Sequence, residues 1–571
     1  MVRTRWLVSG VALIGAAALV AAGCSASSGG GSGVNGGGGS QNGGSGGAAG
    51  GGFGAFGGVG GLVGGGGGSG ATNSGGIPES CDEARIQKSY LGCEYWPTVT
   101  SNSGLDTRFE FAVVAANPTK SPAEVVVDFQ GQELNRVTIA PGGLETIRLP
   151  WVTALKQTSP DATSVLVPRG AFHVTSSVPI TLYQFNPLEF QIGQENSFTN
   201  DASLLIPTTA LGKDYYVMSY PTHHIGQGPI GGPPQVWIDT PGFLSVTATE
   251  DGTKVDVASS AYVRAGNGVS ALSPGQTGSY DLNKGDVLVL ASGKMPAQQT
   301  PEPGRPCGTQ LNGAANVTMC PSPKTYDLTG SRVTSNKPVS VIGGHDCTFV
   351  PFSRFACDHI EESMFPTETL GQDLVVTAPQ AVAGIQSNPG QADNMFVRVM
   401  SAADNNTINF EPAVSQTVTL NAGEWIEIGP ITSDFRVQSD DRIMVSQFMV
   451  GENFSGQSVG AGDPSLSIAI PVEQYRLEYT FLAPATYTYN FVNVVAEPGA
   501  NISIDGTPID AGRFTAIGNS GYSVARVQVP GGAHSMKGDK NFGIVVYGYA
   551  SYTSYMYPGG LNLEKVTIVP R

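Results

Sequence analysis

The sequence predicts an all-β protein: about four diverged β-sandwich modules in tandem behind a disordered, glycine-rich tether. Three observations predict it. Helical periodicity is nearly absent from the 571 residues. Short alternating runs such as Val125–Phe129, Lys254–Val257 and Arg436–Val445 are punctuated by Gly, Pro, Asn and Asp, the pattern of half-buried strands joined by turns. Three sequence elements also recur four times in one order.

The first element is an alternating strand that runs into a turn: Phe111–Thr119, Leu244–Thr253, Val397–Thr407 and Val492–Asn501. A second strand follows each, so each pair reads as a hairpin. The second element is Ile139–Gly142, Leu282–Gly285, Leu420–Gly423 and Ile509–Gly512, again leading into a strand. The third is Val174–Phe185, Val333–Ile342, Val437–Phe448 and Met536–Tyr547, where a polar turn is expected to reverse the chain ahead of an apolar core strand. A connector separates the copies: Pro207 with Leu211–Val217, Pro366 with Leu370–Val376, and Pro471 with Tyr475–Phe481. Modules of about 100 residues with roughly seven strands suit a sandwich. The alternative is a β-propeller-like arrangement, although propeller blades run nearer about 40–50 residues.

The modules are expected at 79–205, 206–363, 364–468 and 469–571. Before them, residues 1–23 read as a lipoprotein signal peptide. Arg3 and Arg5 precede an apolar run from Trp6 to Ala22, and small residues lead to Cys24, the expected lipidation site. A run this short falls below the roughly 20 residues of a membrane-spanning helix. Ser25 after the cysteine points to the outer membrane or cell surface, with a periplasm-facing position as the alternative. Residues 24–77 form the linker, with 26 glycines in the 42 residues 29–70 and no charge between Arg5 and Glu79. Glycine loses the most entropy on ordering and brings no apolar surface, so this stretch is expected to stay a coil with a reach of about 40 Å.

Removing the signal leaves 28 basic against 46 acidic residues, a net charge of −18 (28 − 46). Such a surface repels nucleic acid, which is excluded as a partner. Acylation of Cys24 leaves six cysteines, close in sequence as Cys81 with Cys93, Cys307 with Cys320, and Cys347 with Cys357. An even remainder in an exported chain reads as disulfides, and proximity suggests these pairs. The largest insertion, Gly293–Thr325, is proline-rich and holds Cys307 and Cys320; it is expected as a stapled surface loop, where binding residues concentrate.

Little in the chain suggests catalysis. Gly456–Gly460 fits the G-x-S-x-G pattern, but Ala461–Pro464 cannot open the helix that a nucleophile elbow needs. The densest cluster is Gly343-Gly344-His345-Asp346-Cys347 with Cys357-Asp358-His359-Ile360-Glu361-Glu362. A bridge between its cysteines would pin the two ends together, and His345 and His359 could then join carboxylates around zinc or calcium. A structural disulfide loop is the preferred reading; no catalytic residue, metal or cofactor is assigned. His223-His224 lies in a Gly/Pro-rich stretch read as an exposed loop. Tyr547, Tyr549, Tyr552, Tyr555 and Tyr557 could form a recognition surface for protein or carbohydrate, or could pack in a sheet.

Several stretches, in order, resemble the bacterial branch of the IgGFc-binding protein N-terminal domain family. They are Thr181–Pro187, Asn200–Leu204, Gly344–Cys347, Cys357–Glu362, Gly462–Leu466, Tyr547–Tyr552 and Tyr557–Gly560. The wording is most similar to the secreted or lipid-anchored members of myxobacteria-like organisms. The resemblance implies an extracellular binding or adhesion protein and supplies no catalytic residues. A lipid-anchored, surface-displayed, non-catalytic binding protein for an extracellular protein or glycan is the expected function. The alternatives are a structural envelope or matrix protein, and an exported metal-dependent enzyme.

Overall fold

A computed structural model describes residues 76–569, except 297–306, 313–314, 355–356, 383–389, 453 and 455–460. The signal segment, Cys24, nearly all of the tether and the Gly456–Gly460 pattern lie outside the described residues. Within them the chain is all-β, with several sheets and only short helices. The longest helix, Cys81–Gln87, starts where the Ser80 hydroxyl accepts the Glu83 N–H and ends at Lys88 in left-handed conformation.

The sheets are organised by long strands. Phe172–Phe185 pairs through its first half with Gly92–Tyr95 and Ala123–Phe129, and through its second half with Phe111–Ala116 and Ala202–Leu204. Gln132–Ile139 and Leu144–Leu149 complete the two half-sheets as outer strands. The same path recurs along Phe435–Met449 and along Gly532–Ala550. Between residues 206 and 363 it recurs with the long strand split into Arg332–Ser335 and Val339–Thr348. Because one strand serves two half-sheets, each assembly curls rather than lying flat.

Two expectations need correction here. The hairpins do not form: Phe111–Ala116 and Ala123–Phe129, like their counterparts in the other three assemblies, pair with opposite halves of the long strand and not with each other, because the turn between them carries the chain from one half-sheet to the other. The expected polar turn is the second. The chain does not reverse at 177–179, 440–442 or 539–541; it continues as strand and passes from one half-sheet to the other. The ladder has no partner at this hand-over, so the backbone there must find other groups. The Asn406 side chain, for example, accepts the Asp441 N–H at 2.9 Å and donates to the Asp441 and Arg442 carbonyls. Polar residues and prolines such as Pro179 and Pro338 suit an unpaired step as well as they suit a turn, so the sequence signal is the same for both.

Four short strands end these paths: Ala202–Leu204, Asp358–Ser363, Ser465–Ile468 and Thr553–Pro558. Each adds antiparallel to the second half of its long strand, at the same repeat position: Ser203 faces Gln184, Glu362 faces Gly343, Ser467 faces Gln447 and Tyr557 faces Val546. Each also packs against the next, and the last packs against the first, closing a ring of four hub strands. The largest apolar core runs through this ring, joining Tyr183, Leu204, Val341, Met364, Ile468 and Tyr557. Separate cores fill the assemblies around Phe111–Phe172 and Val397–Phe435.

The second assembly also carries an appended sheet in the order Val236–Thr240, His223–Pro229, Ala315–Cys320, Gly308–Asn312. His223 and His224, expected on an exposed loop, are therefore strand residues and are 3% and 1% exposed. The glycines and prolines around them misled the reading because pairing to Ala315–Cys320 is long-range.

Candidate functional site

The Gly343–Cys347 and Cys357–Glu362 stretches form a hairpin at the hub. Disulfides join Cys347 to Cys357, Cys81 to Cys93, and Cys307 to Cys320. The glycines of the first stretch permit close backbone approach. A Cβ on Gly343 would lie 2.0 Å from the Met218 carbonyl oxygen, and one on Gly344 would lie 2.1 Å from that of Ile360.

The hairpin does not bring its two imidazoles together. His345 sits opposite Ile360 in the ladder, and side chains alternate between faces, so His359 points to the other face. His345 Nδ1 accepts the Cys347 N–H at 3.0 Å, which leaves Nε2 to donate to the Pro221 carbonyl at 3.1 Å. Burial, then the neighbouring His223, pushes the His345 pKa well down, so the ring is neutral. His359 stacks on Phe243 and places Nε2 3.3 Å from Thr100 Oγ1, Asn186 Nδ2 and Glu361 Oε2. Among the described residues no group of three or more His, Cys, Asp and Glu side chains is arranged to hold a metal.

What the hub does hold is buried acid. Asp201, Asp346, Asp358, Glu361, Glu362 and Asp463 are all essentially inaccessible. Asp201 is the junction: Oδ1 accepts Ser465 Oγ (2.6 Å) and Ala202 N (2.9 Å), while Oδ2 accepts Glu361 N (3.0 Å) and Leu466 N (3.1 Å). One carboxyl thus ties three hub strands, although burial pushes its pKa well up. Glu361 accepts Gln184 Nε2 at 2.9 Å, Ser203 Oγ at 3.3 Å and the Thr100 hydroxyl. Burial also raises Asp358, Glu362 and Asp463 well above the carboxylate range. The sequence singled out the histidines and missed Asp201; the recurring Asp-x-Ser-Leu of Asp201–Leu204 and Asp463–Leu466 was the available signal.

The tyrosine run is also corrected. Tyr547, Tyr549, Tyr555 and Tyr557 are buried, and only Tyr552 is partly open. Tyr547 OH donates to Asn493 Oδ1 at 2.7 Å and accepts the Gln380 N–H at 2.8 Å; Tyr555 OH donates to Asn490 Oδ1 at 2.8 Å. Tyr555 and Tyr557 pack into the hub core and Tyr547 and Tyr549 into a smaller core with Phe491, so these rings are packing groups with satisfied hydroxyls rather than a recognition face.

A cleft of about 260 Å³ opens between the appended sheet and the strand Trp425–Ile431, lined by Tyr220, His223, Lys324, Arg398, Trp425 and Glu427 among others. The buried Arg398 guanidinium lies 4.4 Å from the Tyr220 ring and 4.2 Å from the Trp425 ring. It donates to Asp327 Oδ2 at 2.8 Å, Glu427 Oε2 at 3.0 Å and the Ser219 carbonyl at 2.8 Å. Lys324 covers the Trp425 ring at 4.0 Å. Cys320 of the Cys307–Cys320 bridge forms part of the wall. His223 Nε2 is buried here without a hydrogen-bond partner, and burial, then His224, lowers its pKa to about 3. Cations and carboxylates balance around aromatic rings, a lining suited to a polar ligand fragment.

Comparison with known proteins follows the same residues. The family model described as IgGFc binding protein matches residues 201–548, from the Asp201 junction into the last long strand. The human IgGFc-binding protein is 25% identical over 236 residues, which is 40% of this chain and 4% of the human protein. The chain therefore spans only a small fraction of that relative's length. Matched over more than half of its residues, including three of the four hub strands, the chain belongs to the IgGFc-binding protein family.

Proposed function

We propose that this is an exported, non-catalytic binding protein, acylated at Cys24 and held off the membrane by its glycine tether. Four diverged copies of one seven-strand sandwich, closed about the hub, would display the cleft beside Trp425 to an extracellular protein or glycan. The observation that carries this reading is the family match over residues 201–548, which includes three of the four hub strands and the cleft. The three disulfides fit an oxidising compartment. The human relative is named for binding IgG Fc; the ligand proposed here is an extracellular partner of that general kind, not immunoglobulin itself.

Two measurements test it. Protease added to intact cells should remove the β region, and mass spectrometry of the mature N-terminus should show a lipid-modified Cys24; an unmodified terminus sinks the anchor. Capture of envelope proteins or arrayed glycans should saturate with the wild type and fall at least about tenfold with Trp425→Ala. Equal capture by the variant removes the cleft from the proposal.

A further inference from the structure

The hub carries more acid than its partners account for. Among the described residues, the ion-pair partner within reach of its six carboxyls is His359, against Glu361. Asp201 and Glu361 are surrounded by donors, as described above. Asp358 and Asp463 are not. They stand at the starts of adjacent hub strands, and each leaves one oxygen, Asp358 Oδ2 and Asp463 Oδ1, buried without a hydrogen-bond partner. The Asn200 N–H serves only the other oxygen of Asp358, at 2.5 Å.

A third oxygen joins them. Thr348 faces Asp358 directly in the ladder, so the two side chains share a face. Its hydroxyl is wholly buried and has no partner either. Gly451 flanks Asp463, where a Cβ would lie 3.6 Å from Oδ1, and Glu452 follows with Oε2 again unpartnered. The unmatched atoms of these four residues are all oxygens, and among the described residues no lysine, arginine or histidine makes an ion pair with Asp358, Asp463 or Glu452. Buried charge of one sign is costly unless it is protonated or met by a cation.

We propose that Asp358, Asp463 and Thr348 form a site for a hard divalent cation of the calcium class. Two carboxylates supply the charge, and hydroxyl, carbonyl and water oxygens complete a shell that calcium accepts flexibly at six to eight ligands. Softer metals favour nitrogen and sulfur; Cys347 is bridged to Cys357, and His359, although its Nδ1 is unpartnered, follows Asp358 in the strand and so lies on the opposite face, with Nε2 in the Glu361 network. A cation here would join the second and third hub strands, as the Asp201 hydrogen bonds join the first to both.

The test uses the full-length protein in detergent. After treatment with EDTA and dialysis, calcium chloride and magnesium chloride are titrated separately, with calorimetry and thermal unfolding as readouts. One millimolar calcium should raise the melting temperature by about 3 °C or more over 1 mM EDTA, with about one ion per chain by elemental analysis. Asp463→Asn should abolish the shift, and Thr348→Val should weaken affinity about tenfold. If Asp463→Asn does not fold, the Thr348→Val titration decides the assignment. No heat and no shift with the wild type would overturn the proposal in favour of a pair that shares a proton. A full calcium response in either folded variant would place the ion elsewhere and overturn it equally.

Discussion

Ser465 donates its hydroxyl to Asp201 across 264 positions of sequence, at 2.6 Å. That bond, with the Leu466 and Glu361 N–H groups on the same carboxyl, makes one side chain the meeting point of three hub strands. The family match begins at this residue.

Asp201→Ala should therefore be among the most destabilising single changes in the chain. It leaves buried donors on three strands unmatched, each worth about 1–3 kcal/mol, for an expected loss of at least about 3 kcal/mol. Denaturant unfolding measures it. A loss below about 1 kcal/mol would show that the strands are held by apolar packing alone.

Arg398→Met should cost about 3–5 kcal/mol, because Asp327 is then a buried charge without its partner. The double variant Arg398→Met with Asp327→Asn should recover more than half of that loss. Additive losses in the double-mutant cycle would contradict the pairing.

On acidification His223 and His345 should cost stability, against the gain from the buried carboxyls Asp201, Asp358, Glu362 and Asp463, whose folded pKa values are raised. Each imidazole has a folded pKa below its ordinary value, to about 3 for His223, with burial as the first cause. Below pH ~6.5 the unfolded chain binds protons that these buried rings refuse. Their contribution is complete above that pH and is lost as pH falls, toward about 3 for His223, by up to ~1.4 kcal/mol per unit for each ring. Going from pH 7 to pH 4.5, the unfolding midpoint should change more favourably in His223→Gln than in the wild type, because the variant lacks the His223 loss. An equal difference in both proteins would exclude His223 as a source.

Tyr547→Phe should lower stability by about 1–3 kcal/mol, since the Gln380 N–H and Asn493 Oδ1 lose their shared partner. Ligand capture by the folded variant should be unchanged. Reduced capture at full stability would restore the tyrosines to a recognition face.

Removing the Cys347–Cys357 bridge by a double serine variant should cost about 2–4 kcal/mol. Peptide mapping without reductant should return this pair together with Cys81–Cys93 and Cys307–Cys320. Any crossed pair would contradict the hairpin geometry around residues 347–357.

Much of the framework was legible from local pattern. Strand alternation, turn residues and cysteine proximity all act over a few residues, so the recurring strands and the close cysteine pairs could be read directly, whereas the partner of each strand, set across the long strand rather than across the nearest turn, could not. The hub could not. His345 and His359 looked convergent because they flank one bridge, yet ladder alternation sends them to opposite faces. The tyrosines looked displayed, yet apolar cores assembled from distant strands cover both faces on which they stand.

By itself, then, the sequence determined the class of secondary structure, the recurrence of its elements and the acidic character of the surface. These follow from the period of apolar residues and from composition, which need no knowledge of what lies nearby. Only the tertiary structure decided that four short strands close on one another, that Asp201 serves three of them, and that Arg398 sits between Tyr220 and Trp425. Those relationships join residues tens to hundreds of positions apart. Burial and hydrogen bonding act through space, and no local pattern encodes which distant groups will meet.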